Sequence, residues 1–238
     1  GNHGILQGEP SIYKINSLND WQAFKFPTIS ASNYPLKIFI DENDIKWVTL
    51  GSSTSGQGVL VFDDINDLQR LLTSGFENGD LQDNKVNDIA FDKEGAVWMV
   101  GRAGVSIFQS PETIFEGGEN NDASKPIYEG RPLMENEYCT SIVVDGGNRK
   151  WIGTENGLFL LDENGTEVIE NFNMDNSPLP TNKINDLEMH PETGELFIGT
   201  DLGLLTYRTN SSLGLPSCKG LIKVFPNPVT SDFNGEVG

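Results

Sequence analysis

The sequence predicts an all-β fold of the β-propeller class, and three observations predict it. A unit of roughly 50 residues recurs four times, each unit alternates short β-branched runs with turn residues, and one unit by itself cannot bury both of its faces. The units read LKIFIDENDIKWVTL from Leu36, NDIAFDKEGAVWMVG from Asn87, TSIVVDGGNRKWIGT from Thr140 and NDLEMHPETGELFIGT from Asn185. In the first three an Asp precedes a Trp by six residues: Asp41 to Trp47, Asp92 to Trp98 and Asp145 to Trp151. The fourth has His190 and Phe197 instead, with one residue inserted. Successive aromatics stand 51, 53 and 46 residues apart, the period of propeller blades.

Each unit opens on a short strand such as Ile142-Val143-Val144, whose branched side chains suit a buried sheet. The stretches DEND, DKEG and DGGN then supply residues that accept tight-hairpin geometry. The aromatic strand follows, and six residues later Gly104, Gly157 or Gly203 opens a third strand. The first unit reaches its third strand, from Gly58, after an inserted loop over 51–57. A fourth strand is visible in places, as in Glu167-Val-Ile-Glu-Asn-Phe172. The recurring Trp is read as packing between blades. An open solenoid is the rival architecture; the WD dipeptide and GH pattern of WD40 blades are absent.

Before the first unit, Ser11–Asn16 resembles a third strand and Trp21–Phe26 a fourth. The expected organisation is a partial blade over 1–30, then repeats near 31–82, 83–135, 136–180 and 181–215, with 216–238 a linker and the first strand of a truncated C-terminal β-sandwich. Such a chain begins partway through a blade, so the native protein is expected to extend upstream. Completion of the short blade by C-terminal residues is a further expectation.

Sixteen Lys and Arg against 35 Asp and Glu leave a net charge of −19, which disfavours nucleic acid and anionic lipid as partners. No run of about 20 apolar residues spans a bilayer. Cys139 and Cys218 make no disulfide framework and no metal motif, and their pairing is left open. The residues call for no cofactor. His190 stands where the other repeats place a turn Asp, so a turn role outweighs a catalytic one. The carboxylates Asp41, Glu42 and Asp44, and Asp63 with Asp64, read as solvated hairpin tips rather than a glycosidase pair. The run Asp162–Glu167 has a calcium-like flavour without an EF-hand ligand pattern. Binding is expected in the loops that break the repeat, 52–57 and 117–137. Tyr128 and Arg131 in the second of these, with Tyr138 beside it, are the candidate contacts for a glycan or a protein. Lys125, Arg131, Arg149 and Lys150 are candidate contributors to a basic pocket.

The stretches WIGTENGLFLLD and FIGTDLGLLTY resemble the two-component regulator propeller repeats of Bacteroidota. Over the last hundred residues, the DGGNRKW stretch and the linker Asn176-Ser177-Pro178-Leu179 resemble PorZ-type proteins of the type IX secretion system. Pro226, Asn227 and Pro228 resemble the start of a type IX C-terminal sorting domain. The resemblance implies a non-catalytic protein at the cell surface or outer membrane, exported through the periplasm. It also implies that the protein assists the sortase-containing attachment complex by binding a partner protein or anionic lipopolysaccharide. The alternative it leaves open is a periplasmic propeller of a hybrid two-component system that senses a polysaccharide fragment. A glycosidase or lyase on a propeller scaffold is the third reading.

Overall fold

Short antiparallel strands joined by tight turns account for most of the described chain. The computed structural model describes residues 12–15, 17–24, 26, 34–51, 55–116, 118 and 121–210. A hairpin of β1 (Ile12–Ile15) and β2 (Trp21–Phe24) comes first. The first full sheet is β3 (Tyr34–Ile40), β4 (Lys46–Gly51), β5 (Gly56–Asp63) and β6 (Leu68–Leu72). The second is β7 (Val86–Phe91), β8 (Val97–Gly101) and β9 (Gly104–Phe108), followed by a small hairpin of β10 (Ile127–Tyr128) and β11 (Arg131–Pro132). The third is β12 (Cys139–Val144), β13 (Lys150–Thr154), β14 (Leu158–Leu161) and β15 (Val168–Phe172). The fourth is β16 (Ile184–Met189), β17 (Glu195–Thr200) and β18 (Gly203–Arg208).

Every sheet is a meander, so neighbours in sequence are neighbours in space. The sheets stack in chain order, β4 and β5 against β7, β7 and β8 against β12, then β12 and β13 against β16. The first strands of all four converge on one cavity, the arrangement of blades around a propeller axis rather than of a straight stack. The hairpin β1–β2 covers the outer part of the first blade, placing Ile12, Phe24 and Phe26 over Val48, Leu50, Leu60 and Phe62.

The core lies between blades. Trp47 is buried with Ile89, Val97 and Met99 of the next blade, Trp98 with Ile142 and Ile152, and Trp151 with Ile184, Leu187 and Leu196. The six-residue Asp-to-Trp spacing has a direct cause. One carboxylate oxygen of Asp41, Asp92 and Asp145 accepts backbone N–H groups two and four residues on, which closes the hairpin turn. The other oxygen accepts the indole N–H of Trp47 at 3.1 Å, of Trp98 at 2.9 Å and of Trp151 at 3.3 Å. The fourth blade shows why the two positions change together. Phe197 has no N–H to offer, and Nδ1 of His190 serves the turn alone, accepting from Glu192 and Thr193.

The structure moves one strand boundary of the sequence reading and adds two features to it. The strand expected from Gly58 begins at Gly56, because Gly56 pairs with Gly51. The second blade has a single bridge, Ile107 with Ser124, where the first and third blades have a fourth strand. Each first strand also carries a β-bulge at one repeat position, centred on Leu36, Asn87, Thr140 and Asn185. Two bulged side chains tie their blade to the next: Asn87 donates to the Cys139 carbonyl at 2.7 Å, and Thr140 to that of Ile184 at 2.8 Å. Residues 216–238, with Pro226, Asn227 and Pro228, lie outside the described residues, as do 52–54 of the first insertion. Among the described residues no helix is long and apolar enough to cross a membrane.

Candidate functional site

Two surfaces concentrate polar side chains that the repeat itself does not require. The first is the central cavity of about 640 Å³. Four residues before each turn Asp or His, the innermost strands place Lys37, Asp88, Ser141 and Asp186. Lys37 reaches across blades to bond Asp88 at 2.9 Å, and the other Asp88 oxygen accepts the Ile142 N–H at 2.9 Å. Burial pushes the Asp88 carboxyl above its ordinary range and the charge of Asp186 adds to this, against the pull of Lys37 and the Ile142 N–H. Asp92, Lys93, Asp186 and Glu188 also line the cavity, and Asp186 and Glu188 are exposed to its solvent. A raised carboxyl beside a second carboxylate is the electrostatic pattern of an acid–base pair. Here both Asp88 oxygens are already engaged, so the arrangement fastens three blades together. Its excess of carboxylates favours a cation over an anion.

The second surface is the rim where the turns between second and third strands meet the connections between blades. Arg102 follows β8 and donates its backbone N–H to the Lys85 carbonyl at 3.1 Å. Its guanidinium holds Asp83 through two bonds, of 3.2 and 2.6 Å, which raise its pKa further. The Lys85 ammonium lies 5.2 Å from the centre of the Tyr138 ring, a cation–π distance. Beside them Asn156 bonds Glu137 at 2.9 Å. Two cations, one phenol and amide groups on an exposed edge can meet an anionic or hydroxyl-rich ligand.

Of the residues expected from the sequence, Tyr138 stands in this rim. Tyr128 and Arg131 face each other across the β10–β11 hairpin, whose turn uses Glu129 (φ 50°) and Gly130 (φ 78°). The structure thus pairs Tyr128 with Arg131 and gives Tyr138 a different partner, Lys85. The insertion carrying them is a packing element as well as a loop. Arg70 donates to the carbonyls of Ile114 at 2.9 Å and Asn121 at 3.0 Å, while Asp122 caps the N–H groups of Glu77 and Gly79.

The basic residues singled out from the sequence do not converge. Lys125 pairs with Asp80, Arg149 with its own turn residue Asp145, and Lys150 is buried against Asp92. Of the carboxylates read as solvated tips, Glu42 and Asp44 are exposed, whereas Asp41, Asp63 and Asp64 are tied down. Asp63 closes its own turn, and Asp64 is held between Lys14 and Lys46. Asp162 is engaged by the Glu167 N–H and by both the N–H and hydroxyl of Thr166. These bonds outweigh the effect of burial and hold its carboxyl below the usual range. Cys139 is a free thiol, and burial, with Glu137 nearby, pushes its pKa up to about 12; Cys218 lies outside the described residues.

Lys85 and Arg102 were not apparent as site residues in the sequence, and a signal existed for one of them. Four residues after the aromatic, the third and fourth repeats carry Glu155 and Asp201, and the second carries Arg102. Such a charge reversal at a repeat position is visible once the units are aligned.

No family model matches the sequence and no curated protein matches it. Solved structures do match. PorZ, an essential bacterial surface component of the type IX secretion system of Porphyromonas gingivalis, superposes with a TM-score of 0.74 at 25% identity, covering 88% of this chain and 30% of its own. The extracellular domain of a one-component system from B. thetaiotaomicron superposes with a TM-score of 0.63 at 16% identity, covering 87% and 27%. Virginiamycin B lyase from Staphylococcus aureus, at TM-score 0.51 and 11% identity over 86% and 64%, shares the fold alone. The chain therefore spans about a third of the length of the first of these. By fold it is a β-propeller, and over most of its length it is similar to PorZ.

Proposed function

We propose that the chain is a non-catalytic cell-surface propeller that assists a type IX secretion system, binding a partner protein of the sortase and attachment complex or anionic lipopolysaccharide. The observation that carries this reading is the superposition on PorZ over 88% of the chain. The four sheets are consistent with repeats near 31–82, 83–135, 136–180 and 181–215; we propose 1–30 as a partial blade and 216–238, which lies outside the described residues, as the start of a sorting domain.

Electrostatics decides which surface an anionic ligand would use. The axial cavity holds Asp88, Asp92, Asp186 and Glu188 against Lys37 and Lys93, whereas at the rim Lys85 and Arg102 around Tyr138 balance Asp83 and Glu137. In a chain of net charge −19 the rim is the better anion site, with Tyr128 and Arg131 of the β10–β11 hairpin as a second candidate contact. The test is capture of sortase-complex proteins and of purified anionic lipopolysaccharide on the immobilised chain, before and after Lys85→Ala with Arg102→Ala. Capture of either that the double substitution weakens supports the reading; failure to capture both sinks it.

The likeness to the extracellular domain of a one-component system favours a second reading, a sensor of polysaccharide fragments. Peptide mapping of the native protein separates the two. A membrane span leading to a kinase means the sensor, and a compact all-β tail of roughly 70 residues, the size of a small domain, means the secretion component.

A further inference from the structure

The three connections between blades share a feature that packing does not explain. Each buries one leucine under its junction: Leu81, Leu133 and Leu179, one in each core cluster between blades. Five or six residues earlier, each also turns a large apolar side chain out to solvent. Phe76 is 63% exposed, Ile127 58% and Met174 54%. Both blades of every one of these junctions are described, so the exposure is independent of where the chain begins or ends.

Charge is the second observation. Glu77 and Asp175 directly follow Phe76 and Met174, and both are exposed. Among the described residues no cation pairs with either carboxylate. The cations nearest in sequence are committed elsewhere, Lys125 to Asp80 and Lys183 to Asp201. In the second connection Arg131 offsets Glu129, so the acidic character is strongest beside Phe76 and Met174. Rigidity is the third. Asn84 and Asn182, each two residues before a first strand, accept the N–H groups of Ser74 at 2.7 Å and Met174 at 2.8 Å. Asp122 accepts from Glu77 at 2.6 Å and Gly79 at 2.7 Å, and Arg70 donates to the Glu77 carbonyl at 3.3 Å. These bonds hold Glu77 at a left-handed φ of 61° and keep the Phe76 ring in water. Such strain persists only where the surroundings over-determine it.

We propose that the connections between blades form a docking surface for a partner protein that presents apolar side chains next to Lys or Arg. Phe76 is its anchor and Met174 a second contact, with Ile127 between them in chain order. Aromatic residues and Met are the types enriched where proteins meet, and a pre-organised ring loses little freedom on binding. A glycan is the poorer occupant, because Ile127 and Met174 offer a sugar ring no face to stack on, and an anionic glycan is repelled by Glu77 and Asp175. A second copy is also poorer: two chains of net charge −19 repel each other. The surface stands apart from the anion site around Lys85, and the inference does not rest on it.

The test follows the fluorescence anisotropy of three labelled peptides on the folded chain, alternating Leu with Arg, Ser with Arg, and Leu with Glu. The Leu–Arg peptide is expected to bind about tenfold more tightly than either of the others. Phe76→Ser with Met174→Ser is expected to weaken it about tenfold, as loss of an anchor does. Glu77→Gln with Asp175→Asn is expected to weaken it and to flatten its dependence on salt. Ile65→Ser with Leu204→Ser removes two exposed apolar side chains elsewhere and is the control, expected to bind as the parent does. Circular dichroism confirms that each variant is folded. Equal binding of the Leu–Arg and Ser–Arg peptides overturns the proposal, since charge attraction alone then accounts for it. An equal loss in the control variant also overturns it, as does self-association of the chain that Phe76→Ser with Met174→Ser abolishes. The peptides contain neither a secretion protein nor lipopolysaccharide, so these outcomes are distinct from failure of the secretion reading.

Discussion

A single carboxylate per blade performs two tasks, and its energetics are open to measurement. Asp92 closes its turn and accepts from the Trp98 indole and the Lys150 ammonium. Replacing Trp98 by Phe removes the bond and keeps most of the ring, so the expected loss is about 1.5–3 kcal/mol, the range for a bond to a charged group. Trp98→Ala also leaves a cavity and is expected to cost about 3–5 kcal/mol. Urea unfolding of the two variants checks the order. The acid response of the two buried aspartates differs in sign. Burial works to raise the Asp92 carboxyl but is outweighed by Trp98 and Lys150, so its pKa is lowered. Its stabilisation is present above the unfolded value of about 3.9 and is lost as pH falls through the lower folded value. Asp88 is raised by burial, so its contribution is full below the unfolded value and is lost as pH rises through the folded one. Asp92→Asn is therefore expected to differ most from the parent at neutral pH and to converge with it in acid. Asp88→Asn is expected to gain on the parent as pH rises past about 4. Unfolding midpoints from pH 3 to 7 check both, and offsets that ignore pH would refute them.

At the scale of the element, the glycine that opens each third strand separates backbone angle from space. Gly157 and Gly203 share a repeat position and nearly one geometry, with φ of 140° and 137°. A Cβ on Gly157 would stand 2.5 Å from the Phe172 carbonyl oxygen, whereas no described residue lies within 4 Å at Gly203. Gly203→Ala is expected to cost about 1–2 kcal/mol from angle alone, and Gly157→Ala measurably more, because β15 must shift. Thermal melts of the pair decide it. The insertion after β9 gives the second test. Arg70 bonds the carbonyls of Ile114 and Asn121, so Arg70→Ala is expected to release this segment and speed its proteolysis within 111–122 while the sheets stay intact. Cleavage sites read by mass spectrometry check it.

At the scale of the whole molecule, stability resides in the contacts between blades. Lys150 is fully buried and bonds the preceding blade's Asp92 while lying over its Trp98. Lys150→Met leaves that carboxylate without its cation, and the expected loss is about 3–5 kcal/mol, read as a fall in the urea midpoint. The sequence by itself determined the repeat, the order of strands within it, the turn at each repeat Asp and the burial of Trp47, Trp98 and Trp151. These are properties of one unit, written in local spacing and repeated often enough to be read. It also determined His190 as a turn residue, because three other repeats show what that position does. Only the tertiary structure decided which charges meet. Lys37 and Asp88 are 51 residues apart, and Lys150 and Asp92 are 58 apart. Lys85 and Tyr138 come from successive blades. Asp64 looked solvated because its partners, Lys14 and Lys46, are chosen by folding, whereas Asp63 is held locally by Ile65 and Asn66 of its own turn. The physical reason is the architecture: a meander fixes neighbours within a blade by sequence distance, while stacking brings together side chains a whole repeat apart. The proposed binding chemistry lies at those junctions, a whole repeat apart in sequence.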